Sequence, residues 1–254
     1  MSIFQFKKFR VRNELSAMKV NTDGVLLGAA CQIEGHFRRI LDIGTGTGTI
    51  ALMLAQRATE LEAHSEQGSI DLKIIGIDID RDAASEADEN FSESPWADFM
   101  EARHQGLHEF DREYAGTLDL IVSNPPYYNL SLTNPDPKKT VARHTAENGL
   151  SFREIAAFAG RRLSGGGHLS IVLPADQETE LLRHGRMNGL EAVEILRIRT
   201  VERKPCSRVI VSFRRKNSTK ESSTLPEEKT LTIMEKGKYT AEYISLTKDF
   251  YLFA

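Results

Sequence analysis

Residues 39–48, RILDIGTGTG, decide the fold class of this chain. The apolar run RILDI predicts a short buried strand, and the run TIALMLAQRA, residues 49–58, repeats apolar residues at helical spacing. Between them, the glycines let the backbone approach a ligand, and the start of the helix offers free N–H groups. The strand, the turn and the helix together predict a binding site for a nucleotide-like ligand.

Outward from this turn, strand-like and helix-like segments alternate along the chain. Predicted strands are KIIGIDID (73–80), TLDLIVS (117–123) and GHLSIVL (167–173), and predicted helices are RDAASEADENF (81–91) and SFREIAAFAGRRL (151–163). This alternation indicates an α/β fold with a doubly wound, mostly parallel sheet. In such a sheet, ligands bind beyond the carboxyl ends of the strands.

The last third of the chain differs, because the strand-like runs 191–201 and 207–216 follow each other with only a short turn region between them. They predict an antiparallel pair of strands. The length of 254 residues fits a single elaborated domain, 1–254. We divide it into an N-terminal extension near the active-site mouth (1–37), an α/β core (38–215), a polar loop (216–228) and a C-terminal closing segment (229–254).

Composition and charge exclude several classes of protein. Hydrophobic residues make up 40% of the chain and charged residues 27%, which excludes disordered, collagen-like and coiled-coil proteins. The net charge of -3 gives no overall basic field for nucleic acid. Neither Cys31 nor Cys206 lies in a metal-binding or disulfide pattern, so we expect reduced thiols and no metal. With no secretory signal and no apolar run of roughly 18 residues, we expect a cytoplasmic protein with no membrane association.

Two acidic residues stand near the glycines, Asp42 just before them and Asp78 at the end of the next predicted strand. This arrangement is typical of S-adenosylmethionine sites. The glycines follow the spacing GxGxG at Gly44, Gly46 and Gly48, whereas dinucleotide sites use GxGxxG. Asp78 stands at the tip of the next strand, where a carboxylate can accept hydrogen bonds from both ribose hydroxyls. Asp42 lies close to where a cationic amino acid moiety would bind. The alternative interpretation is a structural turn with solvated carboxylates.

The tetrapeptide Asn124-Pro125-Pro126-Tyr127 follows a predicted strand, so it lies at the same edge of the sheet as the glycine turn. An exocyclic amine on a heteroaromatic ring is a poor nucleophile, because its lone pair is delocalised into the ring. The Asn124 amide oxygen and the Pro125 carbonyl could accept its hydrogens and draw that lone pair toward a methyl sulfonium. Pro125 and Pro126 fix the backbone, and Tyr127 supplies a ring for stacking a flipped base. We therefore predict that these four residues are catalytic; the alternative is a proline-rich loop that only ends the strand.

Together these motifs resemble the Rossmann-like class I methyltransferases with an NPPY motif, and within them the bacterial tRNA(Val) adenine-N6 methyltransferase family. The resemblance runs almost end to end, through AMKVNTDGVLLG (17–28), NPPYY (124–128) and YISLTKDFYLF (243–253). It implies a seven-stranded, mostly parallel sheet with the last strand inserted antiparallel, and S-adenosyl-L-methionine as cofactor. It also implies methyl transfer to N6 of an adenosine in tRNA, next to the anticodon of valine tRNA.

The resemblance implies further cofactor-binding residues. Lys19, Thr22 and Asp23 would cover the methionine end of the cofactor, whereas the residues alone favour an ordinary helix capped by Thr22 or Asp23. Asn124 would border the cofactor as well as the substrate. Gly106 occupies the position at which family members carry an acid near the adenine amino group. Backbone groups at this position, or the side chain of Gln105, would replace that acid.

Local basic clusters are candidates for contact with tRNA, the partner that we expect. The candidate RNA-binding residues are Lys7, Lys8, Arg10, Arg12, Arg203 and Lys204. The first four interleave with phenylalanines ahead of the helix that should line the active-site mouth. The alternative is that each cluster is a solvated face of the protein. We find no sign of an obligate protein partner.

Three other functions stay open from the sequence. The NPPY motif also fits a methyltransferase that acts on glutamine in a protein or on guanine in ribosomal RNA. The departure at Gly106 would fit a non-catalytic RNA-binding protein with the same fold. An NAD-dependent oxidoreductase is disfavoured by the GxGxG spacing and by the absence of a Tyr-x-x-x-Lys pair in a suitable place.

Overall fold

The fold is known from a computed structural model, which describes residues 2–62, 71–126, 150–216 and 225–252. Its strands are β1 (Ile3–Gln5), β2 (Arg10–Arg12), β3 (Arg39–Ile43), β4 (Lys73–Asp78), β5 (Met100–His104), β6 (Leu118–Ser123), β7 (Leu163–Pro174), β8 (Leu190–Val201), β9 (Arg208–Arg215), β10 (Glu227–Glu235) and β11 (Lys238–Tyr239). Its α-helices are α1 (Thr22–Ala30), α2 (Thr49–Glu62), α3 (Arg81–Ser92), α4 (Leu107–Glu113), α5 (Phe152–Arg162), α6 (Glu178–Met187) and α7 (Ala241–Thr247).

Nine of these strands form one sheet, in the order β11-β10-β8-β9-β7-β6-β3-β4-β5. Neighbouring strands from β3 to β7 run parallel, and β9 lies antiparallel between β7 and β8. The part of the sheet from β5 to β8 therefore confirms the predicted class, a mostly parallel sheet with one antiparallel strand inserted. Because β9 is antiparallel to both neighbours, β8 runs parallel to β7, and the carboxyl ends of β3, β4, β6 and β8 share one edge.

The strand count differs from the expected seven, because β10 and β11 extend the sheet beyond β8. β10 pairs in parallel with β8, and β11 returns through a tight turn in which Lys236 and Gly237 have φ values of 49° and 79°. The strand begins at Glu227, so it includes the end of the predicted polar loop, and residues 217–224 of that loop lie outside the described residues. Its sequence gave little strand signal because most of its side chains are exposed or only partly buried.

Apolar side chains bury both faces of the sheet. Along β3, Ile40 belongs to one hydrophobic cluster and Leu41 to the other. Helices α1, α2, α3 and α7 cover the first face, and α4, α5 and α6 cover the second. Strands that are buried on both faces have continuous apolar runs, which is why the sequence predicted them well. Among the described residues, no helix has both the length and the apolar composition needed to cross a bilayer.

The hairpin β1–β2 packs its aromatic residues into the first cluster. Phe6 is fully buried, and its ring centroid lies 4.5 Å from that of Phe9 and 5.9 Å from that of Tyr251. The backbone N–H of Lys7 donates to the carbonyl of Phe250 at 2.8 Å. The phenylalanines of the N-terminal extension are therefore part of the hydrophobic core.

Candidate active site

The loop between β3 and α2 depends on its glycines. Gly44, Gly46 and Gly48 have φ values of 71°, 56° and 78°, a backbone region that side chains with a Cβ atom rarely adopt. At Gly48 an added Cβ atom would lie 2.4 Å from the ring of Phe91. The N–H groups of Gly44 and Thr45 donate to the carbonyl of Ile77, at 2.9 and 3.0 Å, which fastens the loop to β4. The loop therefore presents bare backbone at the carboxyl edge of the sheet.

Asp78 ends β4 and holds the glycine loop in place. Its Oδ2 atom accepts the N–H of Gly46 at 2.9 Å, and its Oδ1 atom accepts the N–H of Asp80 at 2.9 Å. Burial raises the pKa of Asp78, while these backbone hydrogen bonds lower it. Each carboxylate oxygen can accept more than one hydrogen bond, so the group retains capacity for a ligand hydroxyl.

Asp42 lies beneath the loop. The residue is fully buried, and its Oδ2 atom accepts the Thr45 hydroxyl at 2.8 Å. Burial raises the pKa of Asp42 to about 7, although hydrogen bonds from Thr45 and from the N–H of Ala51 act to lower it. Asp42 therefore supports the loop from below, and its carboxyl group holds a proton more readily than an exposed aspartate does.

A cleft of about 740 Å³ opens at this edge of the sheet. A smaller cavity adjoins it, and Met18, Gly44, Gly46 and Asn124 line both. Of the other predicted site residues, Asp78, Gly106 and Pro126 line the cleft and Lys19 lines the smaller cavity. The structure thus brings the glycine loop, the carboxylate of β4, Asn124 and Pro126 together around one continuous space.

Asn124 lies directly after β6 and is only 5% exposed. Its Nδ2 atom donates to the Sδ atom of Met18 at 3.5 Å, so the side chain is held by the segment that precedes α1. The adjacent Ser123 hydroxyl donates to the carbonyl of Ile43 at 2.8 Å, which locks the ends of β6 and β3 together. Pro125 is buried and Pro126 is exposed, whereas Tyr127 lies outside the described residues.

Gln105, next to the unusual Gly106, lines the cleft and is 8% exposed. Its backbone N–H donates to the carbonyl of Asp78 at 2.9 Å, and its Nε2 atom donates to Oε2 of Glu113 at 2.6 Å. The carboxylate can only accept, so this bond fixes which end of the Gln105 amide carries the oxygen. That Oε1 atom is buried and has no hydrogen-bond partner among the described residues.

Two buried polar residues of α3, which the sequence analysis missed, hold the segment that lines the cavities. Glu86 is 2% exposed and accepts the N–H groups of Leu15 and Ser16 at 2.8 and 2.9 Å. Asn90 donates to the carbonyl of Thr47 at 2.9 Å, and so connects α3 to the glycine loop. Glu86 and Asn90 lie four positions apart on the face that also carries Ala83 and Ala87. Polar residues that interrupt an apolar helix face were the available signal.

Of the three residues predicted to cover the methionine end of the cofactor, Lys19 lies at the smaller cavity, whereas Thr22 and Asp23 are not among the described residues that line either cavity. The Nζ atom of Lys19 donates to the carbonyl of Glu14 at 2.6 Å. Asp23 forms an ion pair with Arg208 of β9 at 2.7 Å. The predicted helix cap is wrong by one or two positions. Asn21, with extended backbone, is the N-cap, and its Oδ1 atom accepts the N–H of Gly24 at 2.9 Å.

Acidic side chains neutralise much of the predicted N-terminal RNA-binding cluster. The ion pairs are Lys8 with Glu60 at 2.6 Å, Arg10 with Glu93 at 3.0 Å, and Arg12 with Glu93 at 2.5 Å and Glu89 at 3.7 Å. The Nζ atom of Lys7 donates to the carbonyl of Lys248 at 2.5 Å. Arg203 and Lys204 are exposed in the turn that follows β8.

Comparison with known sequences places the chain among methyltransferases. The profile of the family described as "Methyltransferase small domain" matches residues 15–195. Among curated relatives, the tRNA1(Val) (adenine(37)-N6)-methyltransferase of Flavobacterium johnsoniae is 38% identical over 250 residues, covering 98% of this chain and 99% of that protein. The enzymes of the same name from Parabacteroides distasonis and Mannheimia succiniciproducens are 38% and 35% identical, each over 98% of this chain, and 97% and 94% of those proteins are covered.

Solved structures share the fold at low sequence identity. A protein of Agrobacterium tumefaciens, described as a predicted O-methyltransferase, is 16% identical with a TM-score of 0.61, over 90% of this chain and 96% of that one. TrmN from Thermus thermophilus is 19% identical with a TM-score of 0.51, over 76% of this chain and 48% of that one. At these identities the likeness concerns the arrangement of strands and helices.

Proposed function

Because this chain belongs to the methyltransferase small domain family, and to the tRNA1(Val) (adenine(37)-N6)-methyltransferases that it matches over nearly its whole length, we propose that it methylates tRNA. The proposed reaction transfers a methyl group from S-adenosyl-L-methionine to N6 of the adenosine at position 37, beside the anticodon of valine tRNA. The cytoplasm is the proposed place of action, since tRNA is found there.

The observation that carries this proposal is the position of Asn124. It lies in the wall that the cleft and the smaller cavity share, next to Gly44 and Gly46. A group on Asn124 can therefore face a cofactor held by the glycine loop and a base that enters the cleft. The sequence places Pro125, Pro126 and Tyr127 directly after it.

The residues around the cleft fit S-adenosylmethionine. Bound there, the cofactor would supply an electrophilic methyl group on a sulfonium. We propose that the bare backbone of Gly44 and Gly46 contacts it, that Asp78 accepts its ribose hydroxyls, and that Gly48 and Asp42 support the loop. We propose that Gln105, by turning its buried and unpaired Oε1 atom toward the cleft, supplies an acceptor for an adenine amino group in the place of the acid that is missing at Gly106.

Asn124 and Pro125 prepare the substrate amine. Their oxygens accept its two hydrogens, which turns the lone pair out of the base plane. As the new N–C bond forms and the S–C bond breaks, positive charge develops on the amine, and the same oxygens stabilise it. The product nitrogen then releases a proton to water. We propose that Tyr127 stacks on the base and that Pro126 fixes the backbone between these groups.

The remaining predicted residues belong either to the methionine end of the cofactor site or to the surface that contacts tRNA. We propose that Lys19 closes the methionine end from the smaller cavity, whereas Thr22 and Asp23 act through the start of α1 and the Arg208 ion pair. The cations Arg203 and Lys204 are free to meet tRNA phosphates. The N-terminal cluster is less available to RNA, because each of its cations already has a carboxylate or carbonyl partner. The cluster consists of Lys7, Lys8, Arg10 and Arg12.

One experiment tests the proposed reaction directly. The purified protein is incubated with labelled S-adenosylmethionine and tRNA from cells that lack the gene, and the nucleosides are then analysed by mass spectrometry. We expect N6-methyladenosine, mapped to position 37 of valine tRNA. Parallel incubations contain ribosomal RNA or a translation factor in place of tRNA. Label in N2-methylguanosine of the ribosomal RNA or in a glutamine of the factor, with none in tRNA, would contradict the assigned substrate. Absence of transfer to all three, with cofactor binding intact, would contradict the proposed reaction.

A further inference from the structure

Two turns leave the sheet side by side at its carboxyl edge. Strands β8 and β10 are parallel neighbours, and Val201 at the end of β8 pairs with Met234 near the end of β10. The turn after β8 and the β10–β11 turn therefore start about 4.8 Å apart, the spacing of paired strands. The sequence alone did not predict this juxtaposition, because it did not predict β10.

Both turns carry exposed cations, Arg203 and Lys204 after β8 and Lys236 and Lys238 at the β10–β11 turn. We call these four residues the cationic rim. Lys236 pairs with Glu235 at 3.5 Å, but their side chains are 89% and 63% exposed, and such surface pairs are weak. The other three have no ion pair with any residue that the structure describes. The same two turns carry the exposed carboxylates Glu202 and Glu235, so four cations against two acids leave the rim with a net charge of +2 on a chain whose net charge is -3.

The rim differs from the N-terminal basic cluster in two respects. In that cluster, each of the cations Lys8, Arg10 and Arg12 has a carboxylate partner, and the three partners are Glu60, Glu89 and Glu93. The rim also adjoins an exposed aromatic residue, Tyr239, which is 42% exposed and stacks on Tyr243 with ring centroids 4.8 Å apart. The cations suit a sugar-phosphate backbone, whose phosphates need positive charge, and the exposed Tyr239 ring offers a flat apolar surface with a hydroxyl group beside them.

The rim lies at the same edge of the sheet as Asn124. Asn124 follows β6, and the sheet order β6-β7-β9-β8-β10 puts the two turns three and four strand positions away. At the usual strand spacing these separations are about 14 and 19 Å. The rim therefore lies within reach of an RNA stem whose loop inserts a base beside Asn124.

We propose that the cationic rim is a docking surface for the phosphate backbone of the tRNA, on the stem next to the base that is methylated. This proposal rests on the proposed function and adds a contact surface to it. The β10–β11 hairpin, which lies outside the seven-stranded part of the sheet, then serves to hold the substrate.

The test compares two variants that each remove two exposed cations. One carries Lys236→Gln and Lys238→Gln in the rim. The matched control carries Arg183→Gln and Arg186→Gln on α6, which leads from β7 to β8 and so brings Arg186 toward the opposite edge of the sheet. For each we measure tRNA binding at several salt concentrations, KM and kcat with tRNA, the Kd for S-adenosylmethionine, and the Tm.

In the rim variant we expect tRNA binding to weaken about tenfold, and the slope of log K against log salt to decrease by about 1 to 2. KM should rise while kcat at saturating tRNA, cofactor Kd and Tm stay unchanged. The α6 variant should match the unmodified protein in every measurement. An unchanged salt slope and KM in the rim variant, or an equal loss in the α6 variant, would overturn the docking surface while methylation by the unmodified protein stands. Failure of the unmodified protein to bind or methylate tRNA would overturn the proposed function, and the rim proposal with it.

Discussion

The Oδ2 atom of Asp78 accepts the backbone N–H of Gly46 at 2.9 Å, so the carboxylate that ends β4 holds the loop that follows β3. In Asp78→Asn, one carboxylate oxygen becomes an NH2 group that faces either this N–H donor or that of Asp80. We expect the Kd for S-adenosylmethionine to rise at least about tenfold, the scale of a lost charged hydrogen bond. Calorimetric titration measures it. Asp82→Asn, exposed in the first turn of α3, should leave the Kd unchanged.

Asn124→Ala removes the proposed acceptor and leaves the glycine loop intact. We expect kcat for tRNA methylation to fall at least about 100-fold, as when one group that stabilises developing charge is lost. The Kd for S-adenosylmethionine should change by no more than a few-fold, because Gly44, Gly46 and Asp78 remain. Single-turnover kinetics and calorimetry separate the two effects. Full activity in a folded variant would refute the role of Asn124.

Asp42 predicts a specific pH dependence of stability. Burial raises the pKa of Asp42 from 3.8 in the unfolded reference to about 7 in the folded protein. The folded protein therefore binds this proton more tightly, and the stabilisation is complete below about pH 4 and is lost as the pH rises toward 7. In Asp42→Asn this titration is absent. The free energy of unfolding of the variant relative to the unmodified protein should increase by up to about 1.4 kcal/mol per pH unit between pH 5 and 7.

Urea titrations at pH 5, 6, 7 and 8 measure that difference. Thr45→Val supplies a second variant, since the Thr45 hydroxyl donates to Asp42 and lowers its pKa. Its loss should move the transition to higher pH. A difference between Asp42→Asn and the unmodified protein that stays constant across this pH range would show that Asp42 titrates normally.

Glu86→Gln should loosen the segment that lines both cavities. The buried carboxylate accepts the N–H groups of Leu15 and Ser16, and an amide can satisfy both only through one oxygen. We expect the free energy of unfolding to fall by about 2 to 3 kcal/mol, the scale for bonds to a charged group, and cofactor affinity to fall with it. Asp88→Asn, exposed on the same helix, is the control and should change neither. Equal stability of the two variants would contradict this anchoring role.

Gln105→Leu tests the acceptor proposed for the adenine amino group. We expect the Kd for S-adenosylhomocysteine to rise about tenfold, whereas the Kd for its inosine analogue, which lacks the amine, should change much less. Glu113→Gln replaces a carboxylate that can only accept with an amide that can either accept or donate. The Gln105 amide is then no longer held in one orientation, so the same preference should fall partially. An equal loss for both ligands would indicate that Gln105 only supports the fold.

Elements buried on both faces were the most predictable from the sequence. β3, β4 and β6 combine apolar runs with neighbouring turns or helices, and the structure confirms them within two residues. β10 was missed because its partner β8 is distant in the chain and Leu231 is its only residue classed as buried. Local pattern does not reveal a strand whose stabilisation comes mainly from pairing at a sheet edge.

The site was predictable where one short motif contains the relevant residues. Gly44, Gly46 and Asp78 line the cleft together, as expected for residues that follow or end neighbouring parallel strands. Glu86 was missed because its partners, Leu15 and Ser16, are some seventy positions away and are bound through their backbone. The pairing of Arg10 with Glu93 is equally non-local, so the charge of the N-terminal cluster could not be judged from the sequence around it.

The hydrogen bond between the Lys7 N–H and the Phe250 carbonyl means that the N-terminal hairpin cannot finish packing until residue 250 has been synthesised. Because synthesis runs from the N-terminus, Phe6 and Phe9 are made well before Tyr251, whose ring stacks on Phe6 and which lies 245 positions after Phe6 in the sequence. At roughly 5–20 residues per second, the hairpin waits on the order of ten seconds or more for this partner. A chain released before that point would contain the whole glycine loop and the Asn124 motif, yet would expose aromatic surface that chaperones and proteases recognise.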